Sequence, residues 1–270
     1  TDWISASTDG SILITGASSG FGKGTAIALA QRGHKIIATT HTEKSSKELA
    51  IFFKQKNLKI KTFRLDITSD KDRQKVLQYN IDVLINNAGT GQSGSLAEIP
   101  IDIIRSDFET NVFGSIALTQ LVLQKMLKKD NGTIIFVSSL AGRITMPFLG
   151  SYSMTKFALS SGAEAMRKEL YKISKNIHIS LIEPGAYHTG FNQENIAKKY
   201  IWMDKSSYFY SIINKIKKEE ERYFKLVELK SIESIVKKFV QASESRKPKL
   251  RYTAPWWQSF GVRVMRIFGK

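Results

Sequence analysis

Six short strand-like runs alternating with helical stretches restrict this chain more than any other feature. Residues 12–14, 35–38, 59–64, 83–85, 134–137 and 177–182 each read as one buried strand. Between them, residues 22–32, 44–56, 103–128 and 152–174 carry apolar side chains at helical spacing. This alternation is the pattern of a parallel sheet covered by helices. The expected fold class is α/β, doubly wound, with a central parallel sheet of about seven strands and helices on both faces. In such folds ligands bind beyond the carboxyl ends of the strands, so the chemistry is sought there.

The 270 residues, 42% of them hydrophobic, suit one domain spanning 1–270, undivided by a repeat or a low-complexity linker. The absence of Cys excludes disulfides, Cys-ligated zinc and thiolate catalysis. The polar start lacks a secretory pattern, and no apolar run reaches the ~18 residues that span a bilayer. The expected location is cytoplasmic. After Gly185 the alternation breaks. Residues 186–230 read as a charged, mostly helical insertion with aromatics that include Tyr200, Trp202, Tyr208, Phe209, Tyr210, Tyr223 and Phe224. A helix over 232–240, a short seventh strand over 250–253 and a basic aromatic tail over 255–270 follow.

The formal net charge is +17, and it is unevenly placed. From Phe191 onward there are 18 Lys and Arg against 8 Asp and Glu; from Arg246 onward there are 7 basic residues and no acidic one. Such a field attracts anions. Its plain reading is a solvated lysine-rich surface, and nucleic acid has no support beyond charge.

Residues 12–22, Ile-Leu-Ile-Thr-Gly-Ala-Ser-Ser-Gly-Phe-Gly, pass from a strand into a helix. Gly16 permits a tight turn, and Gly20 and Gly22 let backbone approach a pyrophosphate at a helix N-terminus. With Ser18, Ser19 and Phe21 they form a Rossmann-like phosphate-binding turn. The second strand runs out at Thr39, Thr40 and His41, with no carboxylate to hold an adenosine ribose. Its absence removes a repulsion against a 2′-phosphate, so NADP(H) is favoured over NAD(H). His41 reads either as a contact to that phosphate or as an exposed loop residue.

Tyr152 and Lys156, spaced i, i+4, share one helix face. A neighbouring ammonium favours the phenolate and lowers the pKa of a tyrosine toward the range of a working acid or base. Other residues surround this pair in order: Leu65, Asp66, Ile67 and Thr68; Asn86, Asn87, Ala88 and Gly89; Asn111; Ser139 at the end of a strand; Pro184 and Gly185 leading to Thr189. The set T-G-x-x-x-G-x-G, L-D-x-T, N-N-A-G, Asn, Ser, Y-x-x-x-K and P-G-x-x-x-T resembles the short-chain dehydrogenase/reductase family over residues 11–189.

The resemblance implies reversible hydride transfer between a nicotinamide and a carbonyl or secondary alcohol, without a metal. His34, His41, His178 and His188 show no paired ligand spacing. The resemblance gives Tyr152 the role of general acid/base, with Lys156 beside the nicotinamide ribose. Ser139 polarises the substrate carbonyl, and Asn111 holds a relay water. It places Asp66 and Ile67 at the adenine, Asn87, Ala88 and Gly89 along the adenosine side, and Pro184, Gly185 and Thr189 at the carboxamide. It also implies a homodimer or homotetramer through the helices over 103–128 and 152–174. The substrate wall is expected from Leu140, Ala141, Arg143, Met146, Phe148 and Tyr187. Together with the insertion, this wall is similar to that of steroid- and retinoid-type members and implies a hydrophobic carbonyl compound. A non-catalytic NAD(P)-binding regulator on the same fold is the alternative; against it, every catalytic position is filled. In the tail, Trp257, Phe260, Val264 and Phe268 share one helical face, with Ser259, Arg263 and Arg266 opposite. That pattern suits peripheral contact with a membrane surface, a lid or a subunit contact.

Overall fold

The computed structural model describes residues 10–269. Seven strands form one parallel sheet: β1 (Ser11–Ile14), β2 (Ile36–Thr40), β3 (Ile60–Arg64), β4 (Ile81–Asn86), β5 (Gly132–Val137), β6 (Ile177–Pro184) and β7 (Arg251–Ala254). Their order is β3-β2-β1-β4-β5-β6-β7. The helices are α1 (Gly20–Gln31), α2 (Glu43–Gln55), α3 (Asp70–Gln74), α4 (Ile101–Phe108), α5 (Ser115–Lys128), α6 (Gly150–Leu170), α7 (Phe191–Trp202), α8 (Ile213–Val227), α9 (Glu233–Glu244) and α10 (Trp256–Ile267).

Side chains alternate across the sheet and create two cores. On one face Ile12, Ile14, Val83 and Ile85 meet Leu29 of α1, Phe53 of α2 and Phe239 of α9. On the other, Leu13, Leu84 and Phe136 meet Leu118 and Met126 of α5 and Leu159 of α6. Strand order reverses between β1 and β4, and this switch point opens the crevice that holds the site.

One expected element differs. The helix over 103–128 is broken into α4 and α5 by a π-helical turn, Glu109–Gly114. Asn111 causes part of the break, because its buried amide is bonded to the loop at Thr90 and to α6 at Thr155. Gly114 packs so closely that an added Cβ would lie 2.9 Å from the carbonyl oxygen of Ile67. The mostly helical insertion over 186–230 contains two helices, α7 and α8. The buried Lys199 of α7 joins them by pairing with Glu220 of α8.

Candidate functional site

The glycine turn and the start of α1 form one end of the cleft. Ser19 at the helix N-cap gives no side-chain cap, and no acidic residue occupies the first turn. The first N–H groups are therefore open to the cleft, where Ser18, Ser19, Gly20 and Phe21 form the wall. Gly16 has φ +63°, and a Cβ on it would meet the Cα of Ala88 at 2.7 Å. Asn87 locks this contact by donating from Nδ2 to the carbonyls of Thr15 at 2.8 Å and Gly16 at 2.9 Å. Thr15 Oγ1 accepts the N–H groups of Asn87 and Ala88. Gly22 does not reach the cleft; a Cβ there would strike Asn87 Nδ2 at 2.6 Å, so this glycine serves packing. The bare helix end and the close backbone fit a dinucleotide pyrophosphate.

At the adenosine end, Asp66, Ile67, Ala88 and Gly89 line the cleft as expected. Thr40 does not. It is fully buried and its hydroxyl donates to the carbonyl of Thr42, because β2 carries it into the sheet. His41, the next residue, is exposed at the cleft, with Nδ1 3.8 Å from the Asp66 carboxylate. Burial pushes the Asp66 carboxyl up. Hydrogen bonds from Thr68 and the charges of His41 and Arg64 outweigh it and hold the group below the usual carboxylate range.

Tyr152, Lys156 and Ser139 meet where the cleft deepens. The Ser139 and Tyr152 side chains line the cleft together, and the serine hydroxyl favours the phenolate of Tyr152. Ser139 Oγ also accepts the N–H of Ala141 at 3.0 Å, so the serine caps the turn over 140–142 as well. Ser138 is spent on α6, bonded to Ser160 Oγ and to the carbonyl of Lys156. The Lys156 ammonium donates to the carbonyl of Val137 at 2.9 Å and lies 5.5 Å from the Tyr152 ring centroid. The net shift of the Tyr152 phenol is upward, and Lys156 is not among the groups that set it. Burial dominates and pushes the phenol up to about 12, against the Ser139 hydroxyl and with the help of the Asp107 charge. Burial likewise pushes Lys156 down to about 8, with Asp107 opposing.

The Asn111 side chain is buried away from the cleft, accepting from the N–H of Thr90 at 2.8 Å and donating to the Thr90 carbonyl and to Thr155 Oγ1. Both amide donors and the carbonyl oxygen are spent on protein partners. The side chain holds α4–α5 against α6.

Asp107 was not singled out from the sequence. It is completely buried, accepts from Ser151 Oγ at 2.8 Å and from the N–H of Gln92, and acts electrostatically on both Tyr152 and Lys156. Burial raises its own carboxyl pKa, against the Ser151 and Gln92 hydrogen bonds and the Lys156 charge. One signal existed: Asp107 precedes Asn111 by four residues, on the same helical face.

Beyond Tyr152 the cleft, about 1110 Å³ in all, becomes apolar. Leu140, Ala141, Met146 and Tyr187 line it as expected. Arg143 and Phe148 do not: Arg143 turns to the buried Glu183, and Phe148 packs edge-on against Phe209. Phe191, Ile196, Phe224 and Val227 of the insertion and Val262 and Met265 of α10 complete the chamber. Gln258 of α10 ties it together, accepting from the N–H of Ala186 and donating to the carbonyl of Val227, each at 2.8 Å. Pro184, Gly185 and Thr189 line the junction between the two ends of the cleft.

A family model described as short chain dehydrogenase matches residues 11–200. The chain is 37% identical over 194 residues to 3-ketodihydrosphingosine reductase of Bacteroides thetaiotaomicron, covering 69% of this chain and 68% of that protein. It is 28% identical over 253 residues to human 17-beta-hydroxysteroid dehydrogenase type 1, covering 89% of this chain and 76% of the relative. A short chain dehydrogenase/reductase of Burkholderia phymatum, solved in complex with NAD, superposes with a TM-score of 0.80 at 22% identity over 96% of this chain and 94% of that one.

Proposed function

The chain belongs to the short-chain dehydrogenase family and is an NAD(P)-dependent oxidoreductase acting between CH–OH and C=O, and on that premise we propose that it reduces a lipophilic ketone with NADPH through Tyr152. The observation that carries this reading is the placement of Ser139, Tyr152 and Lys156 together in one cleft that joins the glycine turn to the apolar chamber.

When bound, the nicotinamide supplies the hydride. The α1 N-terminus with Gly16, Ser18, Ser19, Gly20 and Phe21 holds the pyrophosphate. Asp66, Ile67, Asn87, Ala88 and Gly89 hold the adenosine side, and Pro184, Gly185 and Thr189 the carboxamide. Tyr152 gives its phenolic proton to the substrate oxygen as negative charge gathers there. Ser139 Oγ donates to the same oxygen, a preorganised donor of the kind that lowers such barriers. Its present bond to the carbonyl of Pro184, 3.5 Å long, is readily exchanged for that contact. Lys156 faces the phenolate left behind and stabilises it. A phenol pushed up to about 12 keeps its proton at neutral pH and can give it to a ketone oxygen.

The apolar chamber supports a hydrophobic substrate, as does the likeness to a ketosphingosine reductase and a hydroxysteroid dehydrogenase. NADPH is supported by the end of β2, where buried Thr39 and Thr40 offer no carboxylate and exposed His41 faces the cleft. A homodimer through α5 and α6 is supported by Phe113, Met154 and Phe157, large apolar side chains exposed on that side. Among the described residues no helix is long and apolar enough to cross a membrane. A cytoplasmic place of action, peripheral to a membrane, completes the reading.

The test is a fluorescence titration with NADPH and NADH, followed by ketone turnover with wild type and Tyr152→Phe. The reading expects about tenfold or greater preference for NADPH and turnover of long-chain or polycyclic ketones that Tyr152→Phe abolishes. Turnover confined to small polar sugars or diols overturns the substrate class.

A further inference from the structure

We infer that α10 docks the protein onto an anionic lipid bilayer, with its outer aromatic face in the interface and its inner face forming one wall of the substrate chamber. The inference deepens the lipophilic-substrate reading and rests on it only for the route by which substrate arrives.

A surface helix normally turns its apolar side inward. Helix α10 turns Val262 inward and Trp257 and Met265 to the chamber, yet it carries a second apolar face outward. Its packed positions are small or modest, with Ser259 6% and Val262 7% exposed. Its large apolar residues face outward: Trp256 is 77%, Phe260 62%, Ile267 79% and Phe268 74% exposed. Water alone gives no reason to hold such a face open. The helix stays in this orientation because polar bonds fix it. Gln258 spans the backbone of Ala186 and Val227. The apolar surface extends toward α8, where Leu226 is exposed beside the Val227 carbonyl that Gln258 holds.

Charge selects the occupant. Helix α10 carries Arg263 and Arg266, both exposed, and no acidic residue, while Arg251 of β7 is already paired with Glu164 and Glu183. Two copies meeting through this helix would bring like charges together, which is costly. An anionic headgroup layer complements them, and tryptophan, phenylalanine and arginine on one short helix are what a membrane interface accommodates.

The same helix reaches the chemistry. Trp257, Val262 and Met265 border the chamber, and Gln258 touches the backbone of Ala186 beside the carboxamide segment. A docked α10 therefore sets the chamber mouth at the bilayer surface, so that a lipid ketone enters along the membrane without crossing water.

Co-sedimentation of the full chain with vesicles of phosphatidylcholine alone, and of phosphatidylcholine with phosphatidylglycerol, tests this. Binding is expected to the phosphatidylglycerol vesicles. It should weaken about tenfold or more without the anionic lipid, or in about 1 M salt, where the Debye length is ~3 Å. The double variant Phe260→Glu, Phe268→Glu should lose vesicle binding while its NADPH titration and thermal melting stay as in wild type. Neither side chain lines the cleft. Absence of wild-type binding, or equal binding by the double variant, overturns the proposal. So does a dimer that this variant dissolves, which would assign the face to a second copy. A chain that reduces lipophilic ketones yet ignores vesicles overturns docking alone. One that binds vesicles but reduces no such ketone overturns the substrate reading and leaves docking standing.

Discussion

Tyr152 keeps its proton because burial outweighs its neighbours, and that single balance sets how the site responds to pH. With the phenol pushed up to about 12, ketone reduction is expected to be flat through neutral pH, while alcohol oxidation, which needs the phenolate, rises with pH. Asp107 is part of the balance. Its negative charge raises both Tyr152 and Lys156, so Asp107→Asn lowers both. The pH profile of alcohol oxidation should then move to lower pH, with maximal turnover falling by well under the ~10²-fold that loss of a general acid costs. A merely structural role would lower turnover without moving the profile. At this scale the sequence displayed Tyr152, Lys156, Ser139 and the glycines, because their spacing survives in one dimension. It did not display Asp107 or Gln258, whose meaning lies in partners such as Ser151, Ala186 and Val227 on other elements. The direction of the Tyr152 shift was also hidden, since it depends on how deeply the fold encloses the ring.

Among elements, the strands were legible because a sheet buried on both faces must be apolar along its length. The break between α4 and α5 was not, since the apolar spacing over 103–128 continues through it and only the contacts of Asn111 and Gly114 reveal it. The turn between β1 and α1 tolerates no side chain. Gly16→Ala would force φ +63° on a residue whose Cβ lies 2.7 Å from the Cα of Ala88. A cost of about 1–3 kcal/mol is expected from the backbone alone, and NADPH affinity should fall with it; thermal melting and titration check both. Within the insertion a buried pair, Lys199 with Glu220, ties α7 to α8. Glu220→Ala leaves Lys199 buried without its carboxylate, a change of about 3–5 kcal/mol in favourable cases. Limited proteolysis should then cut within residues 203–212, while the sheet and cofactor binding persist.

For the whole molecule, two exposed apolar surfaces divide the work proposed for it. The α5–α6 side exposes Phe113 and Phe157 and suits self-association; α10 exposes aromatics beside Arg263 and Arg266 and suits lipid. Phe113→Asp is expected to shift a dimer toward monomer by light scattering and leave vesicle binding in place. The sequence announced the tail's amphipathic pattern, but helical spacing alone does not say which face packs inward. The structure turned Ser259 in and Phe260 out. The central claim is proton and hydride transfer to a lipophilic ketone through Tyr152. Its most direct test is NADPH consumption with a long-chain ketone, by wild type and Tyr152→Phe. The account expects turnover by wild type and a loss of about 10²–10⁴-fold in the variant at unchanged NADPH affinity; equal turnover by both would contradict it.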